Sequence, residues 1–165
     1  MKKNKIFISI ASYRDPELLP TLKDLISKAK SPQNLVFGIS REYHPDDKFD
    51  RLTKYKKDKR FNIIETLWED SLGVCRARHN IQKLYSGEEF YFQLDSHHRF
   101  VKDWDDKLKK TLRSLVKKVI KNLFYLHTYL LMNQKPKKNL SSLMYGELIL
   151  IGSCPKVLFL FFQKV

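Results

Sequence analysis

Short apolar runs without polar alternation recur along the first hundred residues of the chain. Such runs are typical of strands that are covered on both faces of a parallel sheet. They predict four strands, at residues 6–10, 35–40, 61–66 and 90–94. The intervals that follow the first and third strands are long enough for a helix, which is the arrangement of βαβ units.

Two helices are predicted between these strands. After the first strand, Asp15 is a favoured N-cap residue and Pro16 a favoured first helical residue, so we expect a helix to begin there. The apolar residues that follow share one helix face: Leu18, Leu22, Leu25, Ile26 and Ala29. A second helix is predicted over residues 74–85, with Ala77, Ile81 and Leu84 facing inward. Strands that alternate with helices predict an α/β sandwich of three layers.

The formal net charge of +14 by itself suits a nucleic-acid or membrane-surface partner. Half of this excess lies beyond residue 116, where Glu147 is the one acidic residue. Residues 1–116 instead have the mixed charge of an enzyme surface, and their Lys-rich stretch 46–60 predicts a solvated loop with a short helix. The chain has no recognisable nucleic-acid module and no GxxxxGK[ST], HExxH or GxSxG motif, so a nucleic-acid partner is the less favoured interpretation.

Cysteine content and apolar run length restrict the cellular compartment. Cys75 and Cys154 show no pairing pattern, so we expect no disulfide framework, and Cys75 is predicted to be a small buried residue. No apolar run is long enough for a secretory signal or for a membrane span. These features predict a soluble cytoplasmic protein.

Asp95 and His97 directly follow the fourth predicted strand. If the extended backbone persists, both side chains point to the same side. A carboxylate and an imidazole together suit a divalent transition ion such as manganese, with phosphate oxygens completing its shell. The competing interpretation is a polar loop in which Asp95 caps the following turn. His98 is predicted to be an exposed neighbour.

Two further groups are candidates for ligand binding. Residues 12–15 follow the first strand, at the carboxyl edge where open α/β sheets bind ligands. Arg76 and Arg78 lie near the start of the second helix, and arginine forks suit diphosphate and carboxylate groups. The alternative is that one arginine is solvated and the other pairs with Glu69 or Asp70.

The segments IFISIASYRDPEL and GVCRARHNIQKLYSGEEFYFQLDSHHRFVKDWD, in this order, resemble the cytoplasmic N-acetylglucosaminyltransferases that modify hydroxyproline on a protein substrate. A more distant resemblance is to the polypeptide N-acetylgalactosaminyltransferases, which have a similar Asp-Ser-His step. The resemblance covers about residues 4–112. It implies a GT-A fold, a UDP-sugar donor, a manganese-like ion and retaining transfer of N-acetylglucosamine to a protein hydroxyl.

The resemblance also implies roles for individual residues. Asp95 and His97 would hold the metal that bridges the UDP diphosphate. Arg76 and Arg78 would lie near the diphosphate or the sugar. The uridine end of the donor site would be lined by Ser12, Tyr13, Arg14 and Asp15. No catalytic residue is predicted.

The resemblance stops near Leu115. Residues 1–116 would then be a truncated GT-A-like nucleotide-sugar-binding domain, and residues 117–165 a tail that is predicted to be irregular. Three classes of function stay open. They are a metal-dependent glycosyltransferase, active or inactive in this form; a non-catalytic fragment or pseudoenzyme; and, least favoured, a basic nucleic-acid-binding protein.

A frameshift between about Leu115 and Lys121 would explain the tail, with an A-rich slip site at Lys117-Lys118. In the shifted frame, residues 129–136 can become Pro-Pro-Tyr-Glu-Pro-Glu-Thr, and residues 144–153 can become Val-Trp-Arg-Ile-Asn-Phe-Asp-Arg-Phe. Both products resemble segments of the family. We expect the nucleotide sequence to encode them in that frame, and a gene whose shifted frame lacks them would refute the hypothesis.

Overall fold

A computed structural model describes residues 2–132 of the chain, with side chains described to residue 118. Strands and helices alternate over this range. The strands are β1 (Lys2–Tyr13), β2 (Leu35–Tyr43), β3 (Phe61–Leu67) and β4 (Glu88–Asp95). The helices are α1 (Leu18–Ser27), α2 (Val74–Gln82) and α3 (Trp104–Met132). The strands form one parallel sheet in the order β3-β2-β1-β4, which confirms the predicted α/β class and all four predicted strands.

The sheet is covered on both faces, which explains why its strands are nearly continuous apolar runs. On one face, Ile8 of β1 lies in a large core cluster to which α1 contributes Leu22 and α3 contributes Trp104. On the other face, Phe7 packs with Ile81 of α2 in a smaller cluster. Alternate residues of β1 therefore serve opposite cores, and the sheet is the middle of three layers.

Gly38 in β2 lies against Phe7 of β1 and Ile81 of α2. A Cβ atom at this position would lie 2.4 Å from Cζ of Phe7 and 2.7 Å from Cγ2 of Ile81. Both distances are shorter than van der Waals contact, so a side chain at residue 38 would push the ring or the helix away. The missing side chain is what allows the smaller core to close.

β1 and α1 differ from the predicted elements at the turn between them. β1 continues past its apolar run because Ser12 and Tyr13 keep their register with Arg41 and Glu42 of β2. α1 begins only at Leu18, with Glu17 as its N-cap residue, so the prediction of Asp15 as the N-cap and Pro16 as the first helical residue is early by two residues. The predicted apolar face of α1 is confirmed by the complete burial of its residues Leu18, Leu22 and Leu25.

Two sequence predictions about exposure are wrong. The stretch 46–60 has turns and no helix, and it is not fully solvated, because Asp50 and Leu52 are buried. The Asp50 carboxylate accepts a hydrogen bond at 2.6 Å from Nη2 of Arg41, which ties the loop to β2. Cys75 is exposed and not buried, because the inward face of α2 is set by Ala77 and Ile81.

α3 passes through the predicted domain boundary at residues 116 and 117 and continues to Met132. The sequence has no glycine or proline between Gly87 and Pro136, so nothing interrupts the helix. The expectation of irregular structure from residue 117 is therefore wrong up to Met132. Residues 133–165, which include Cys154 and the second frameshift segment, lie outside the described residues. Within residues 2–132, no helix combines the length and the apolar character needed to cross a bilayer.

We expect Gly38→Ala to lower the free energy of unfolding by about 1–3 kcal/mol, because the new methyl group overpacks the core against Phe7 and Ile81. Urea denaturation measures this change. A double-mutant cycle with Phe7→Leu is the control. Removing Cζ of the ring should relieve part of the clash, so the double variant should lose less than the sum of the single losses. Additive losses would contradict the steric explanation.

Candidate functional site

The carboxyl ends of β1 and β4 lie side by side, because Ala11 pairs with Asp95 in the parallel register. The segments that follow these two strands therefore meet. Oδ2 of Asp15, after β1, accepts a hydrogen bond from Oγ of Ser96, after β4. The same oxygen lies 3.2 Å from Nδ1 of His97. The structure thus brings together the two motifs that sequence analysis placed at strand ends.

Asp95 and His97 are oriented by different partners. The backbone bends at Ser96 and His97, so the extended geometry that would place both side chains on one side does not continue past Asp95. The Asp95 carboxylate accepts a hydrogen bond at 2.7 Å from Nη2 of Arg78. The two side chains are 52% and 57% exposed, respectively, so both are open to a ligand. Their role as metal ligands stays a prediction.

Asp15 is the most buried carboxylate in contact with the Asp-x-His motif, with 18% of its side chain exposed. Burial by itself raises the pKa of this carboxyl. Hydrogen bonds from Ser96, from the backbone N–H of Glu17 and from His97 outweigh the burial and hold the pKa below its usual value. At neutral pH, Asp15 is therefore a fixed anion beneath the motif.

Arg76 and Arg78 both lie at this edge of the sheet, near the start of α2. Arg78 pairs with Asp95, and not with Glu69 or Asp70 as in the alternative interpretation. Arg76 is exposed and lines a cavity of about 310 Å³. The two arginines therefore contact different parts of the candidate site.

The cavity of about 310 Å³ lies where β2 and β3 end and α2 begins. Six of its eight lining residues are polar: Ser40, Glu42, Thr66, Asp70, Arg76 and Asn80, beside Leu72 and Ala77. Sequence analysis predicted none of these as site residues except Arg76. The available signal was position, because Glu42 and Thr66 stand at the carboxyl ends of parallel strands.

The three residues before Asp15 have different environments. Ser12 is buried, and its Oγ has no hydrogen-bond partner among the described residues. Tyr13 is 53% exposed. Arg14, at a φ of 45°, donates to both carboxylate oxygens of Asp47, at 2.8 and 3.3 Å. This hydrogen bonding lowers the pKa of the Asp47 carboxyl.

A larger groove of about 540 Å³ lies on the other side of the motif, between β4 and α3. Within the described sheet β4 is an edge strand, so this groove runs along an open edge. Arg78 and Asp95 line the end of the groove that carries the motif, and its apolar lining residues are Phe92, Leu94, Phe100, Val101, Trp104 and Leu108. The Arg78–Asp95 pair therefore adjoins an apolar groove, whereas Arg76 adjoins a polar cavity.

The segment after the motif is fastened to α1 by hydrogen bonds. The backbone N–H of His98 donates to Oγ1 of Thr21 at 3.0 Å, and that of Phe100 donates to Oδ2 of Asp24 at 2.7 Å. The indole N–H of Trp104 donates to a backbone carbonyl of α1 at 2.8 Å. These bonds hold the chain in place just beyond His97. His98 is half-buried and not an exposed neighbour as predicted.

Comparison with protein families gives a result that does not depend on this geometry. A family model described as Glycosyltransferase (GlcNAc) matches residues 5–59 and 44–146. The matched segments include Asp15, Arg78, Asp95 and His97. They also extend beyond Leu115, where the resemblance noted in the sequence was expected to stop, so that expected limit is too early. A search of curated proteins found no match.

We expect Asp24→Asn to lower the free energy of unfolding at pH 7 by about 1–2 kcal/mol, because Phe100 loses a charged acceptor. Burial raises the pKa of the Asp24 carboxyl, but hydrogen bonds from Lys28 and Phe100 outweigh it and lower the pKa. A lowered pKa in the folded state gives stability that is present above the ordinary value of about 3.9 and is lost as the pH falls through the folded value.

The difference between the wild type and Asp24→Asn should therefore shrink below about pH 4, as measured by urea denaturation between pH 7 and pH 3. The matched control is Asp46→Asn, since the Asp46 side chain is 91% exposed. This control should change stability by less than about 0.5 kcal/mol. A pH-independent loss in Asp24→Asn would argue against the role of the ionised carboxylate.

Proposed function

Because the chain belongs to the Glycosyltransferase (GlcNAc) family, we propose that it binds a UDP-sugar, with N-acetylglucosamine as the sugar, for transfer to a protein hydroxyl. The observation that carries this proposal is the meeting of Asp15, Arg78, Asp95 and His97 at the carboxyl edge of a parallel sheet, with a polar cavity and an apolar groove nearby. The described sheet is compatible with the first half of a GT-A fold, which is part of the proposal.

In this proposal, the nucleoside of the donor would bind in the cavity of about 310 Å³. Uracil offers one N–H donor and two carbonyl acceptors, and ribose offers two hydroxyls. The cavity provides matching groups in Glu42, Thr66 and Asn80. The unpartnered Oγ of Ser12, at the neighbouring strand end, is a further group available to the donor. Tyr13 and Arg14 follow it at the same edge.

The diphosphate would lie between the cavity and the Asp-x-His motif. Arg76 lines the cavity, and Arg78 already binds one carboxylate, that of Asp95. Guanidinium groups bind phosphate oxygens with the same paired geometry that they use for carboxylates. Arg76 and Arg78 would therefore hold the negative charge of the donor near the motif.

The donor set at the motif suits a divalent cation such as Mn²⁺. Asp95 offers a carboxylate oxygen and His97 an imidazole nitrogen, and both side chains are more than half exposed. Within the described part of the chain, no group of three or more His, Cys, Asp or Glu side chains could hold a metal. Two protein ligands leave positions for diphosphate oxygens and water. When bound, the ion would supply positive charge that stabilises the departing UDP.

In the proposed transfer, the bond between the anomeric carbon of the sugar and the diphosphate oxygen breaks. UDP departs with the electron pair of that bond, a bond from the anomeric carbon to the acceptor oxygen forms, and the acceptor hydroxyl gives its proton to the departing diphosphate or to water. The groove of about 540 Å³ begins at Asp95 and is the nearest surface for a protein acceptor, for which hydroxyproline is the candidate residue. A non-catalytic protein with the same donor site is the second candidate. The groove that would hold the acceptor is apolar and lies along an open edge of the described sheet, so the acceptor side is uncovered there.

Isothermal titration of the full chain with UDP, in Mn²⁺ and in EDTA, tests the donor site. We expect tighter binding in Mn²⁺, and Asp95→Ala should weaken the Mn²⁺-dependent binding by at least ~10-fold because one of two protein ligands is lost. Asp106→Ala is the control, since it removes an equal charge from an ion pair with Lys110. Wild-type binding that is the same in Mn²⁺ and EDTA would overturn the metal-dependent site.

Turnover of UDP-N-acetylglucosamine separates the two candidates. Transfer to a hydroxyl-containing peptide, or slow hydrolysis in its absence, would support the transferase. Mn²⁺-dependent UDP binding with no release of sugar from any UDP-sugar would support the non-catalytic protein.

A further inference from the structure

We propose that Asp15 is the positioning residue for His97: its carboxylate turns the imidazole so that Nδ1 carries the proton and Nε2 is left to bind a divalent cation. The cation itself rests on the proposed function, whereas the orientation of the ring rests on contacts within this chain. The resemblance would place Asp15 at the uridine end of the donor. The structure shows its carboxylate in contact with the segment after β4, a contact that the sequence did not predict.

The Asp15 carboxylate is held on both of its oxygens. Oδ1 accepts a hydrogen bond at 2.8 Å from the backbone N–H of Glu17. Oδ2 accepts one from Oγ of Ser96 and lies 3.2 Å from Nδ1 of His97. A side chain that is fixed at both oxygens and is 18% exposed has little freedom to rotate. His97 therefore contacts an acceptor whose position is already determined.

The contact also selects the tautomer of His97. An ionised carboxylate can only accept hydrogen bonds, so the ring nitrogen beside it must be the protonated one. A neutral imidazole carries one proton, which leaves Nε2 with a free lone pair. The side chain of His97 is 57% exposed, so the ring is accessible to a ligand from solvent. Carboxylate-bound histidines of this kind are better metal ligands than free ones.

Ser96, which lies between the two candidate ligands, helps to hold the Asp15 carboxylate in place. It is buried, and its hydroxyl donates to the same oxygen that faces His97. This hydrogen bond ties the carboxylate to the motif itself. The Asp-Ser-His step thus contains two candidate ligands and the residue that secures the support of one of them.

Histidine ring NMR of the metal-free full chain tests the orientation without any activity. At pH 8, above the ordinary histidine pKa of about 6.5, long-range ¹H–¹⁵N spectra should show His97 protonated at Nδ1. Asp15→Ala should return His97 to the tautomer mixture of a free histidine. A wild-type His97 that is protonated at Nε2 would overturn the inference, even if Asp15→Ala fails to fold.

Electron paramagnetic resonance of free Mn²⁺, in the presence of UDP, then measures the effect on the cation. Asp15→Ala should raise the Kd for Mn²⁺ by ~10–100-fold. The matched control is Asp24→Asn, because Asp24 has 19% of its side chain exposed and also anchors the segment after β4 through a backbone N–H. A purely structural role for Asp15 predicts equal losses in both variants. The inference predicts a change of less than ~2-fold for Asp24→Asn.

The outcomes separate this inference from the proposed function. If Asp95→Ala abolishes Mn²⁺ binding and Asp15→Ala leaves it unchanged, the cation site stands and the role of Asp15 is wrong. If the wild type binds no Mn²⁺ in the presence of UDP, the cation site fails, and the cation-positioning role of Asp15 fails with it. Weaker Mn²⁺ binding in Asp15→Ala, together with a His97 ring protonated at Nδ1 in the wild type, supports both the cation site and the role of Asp15.

Discussion

The parallel pairing of β1 with β4 is the constraint on which the candidate site depends. It sets Ala11 opposite Asp95, so the segments that follow β1 and β4 lie near each other and Asp15 reaches Ser96 and His97. A slip of one residue would exchange the two faces of β4 and disrupt both cores. The buried residues of the sheet thus fix the geometry of the polar ones beyond its edge. Backbone N–H groups of the segment after the motif donate to Thr21 and Asp24, which extends that control past the motif.

Hydrophobic pattern predicted all four strands because a parallel sheet buries both faces of each strand, so burial leaves a strong signal in the sequence. At the carboxyl edge of the sheet, however, the apolar pattern ends before the strand does. Arg41 and Glu42 continue β2, but they are polar, and the predicted strand stopped at residue 40. Glu42 was missed for this reason. The residues that a ligand would contact are therefore polar residues that still belong to a strand, and an apolar pattern does not detect them.

The motif shows a second limit of sequence reasoning. The spacing of Asp95 and His97 predicted that both side chains point to the same side if the strand stays extended. The backbone bends at Ser96, so the strand does not stay extended. Their partners are distant in the chain: Asp15 lies 82 residues from His97. A periodic pattern in the local sequence cannot predict such a contact, because the contact depends on the pairing of β1 with β4. The family match, in contrast, does not depend on local geometry and reaches residue 146, while the frameshift stays a prediction for the nucleotide sequence.

The ion pair between Arg78 and Asp95 has a thermodynamic consequence under the proposed function. In the unliganded chain, the carboxylate neutralises the guanidinium that the diphosphate would need. A cation that takes over Asp95 releases Arg78, and a diphosphate that takes over Arg78 releases Asp95. Each ligand therefore removes a competitor of the other. Linkage requires this cooperativity to be reciprocal, so the factor by which metal tightens nucleotide binding equals the factor by which nucleotide tightens metal binding.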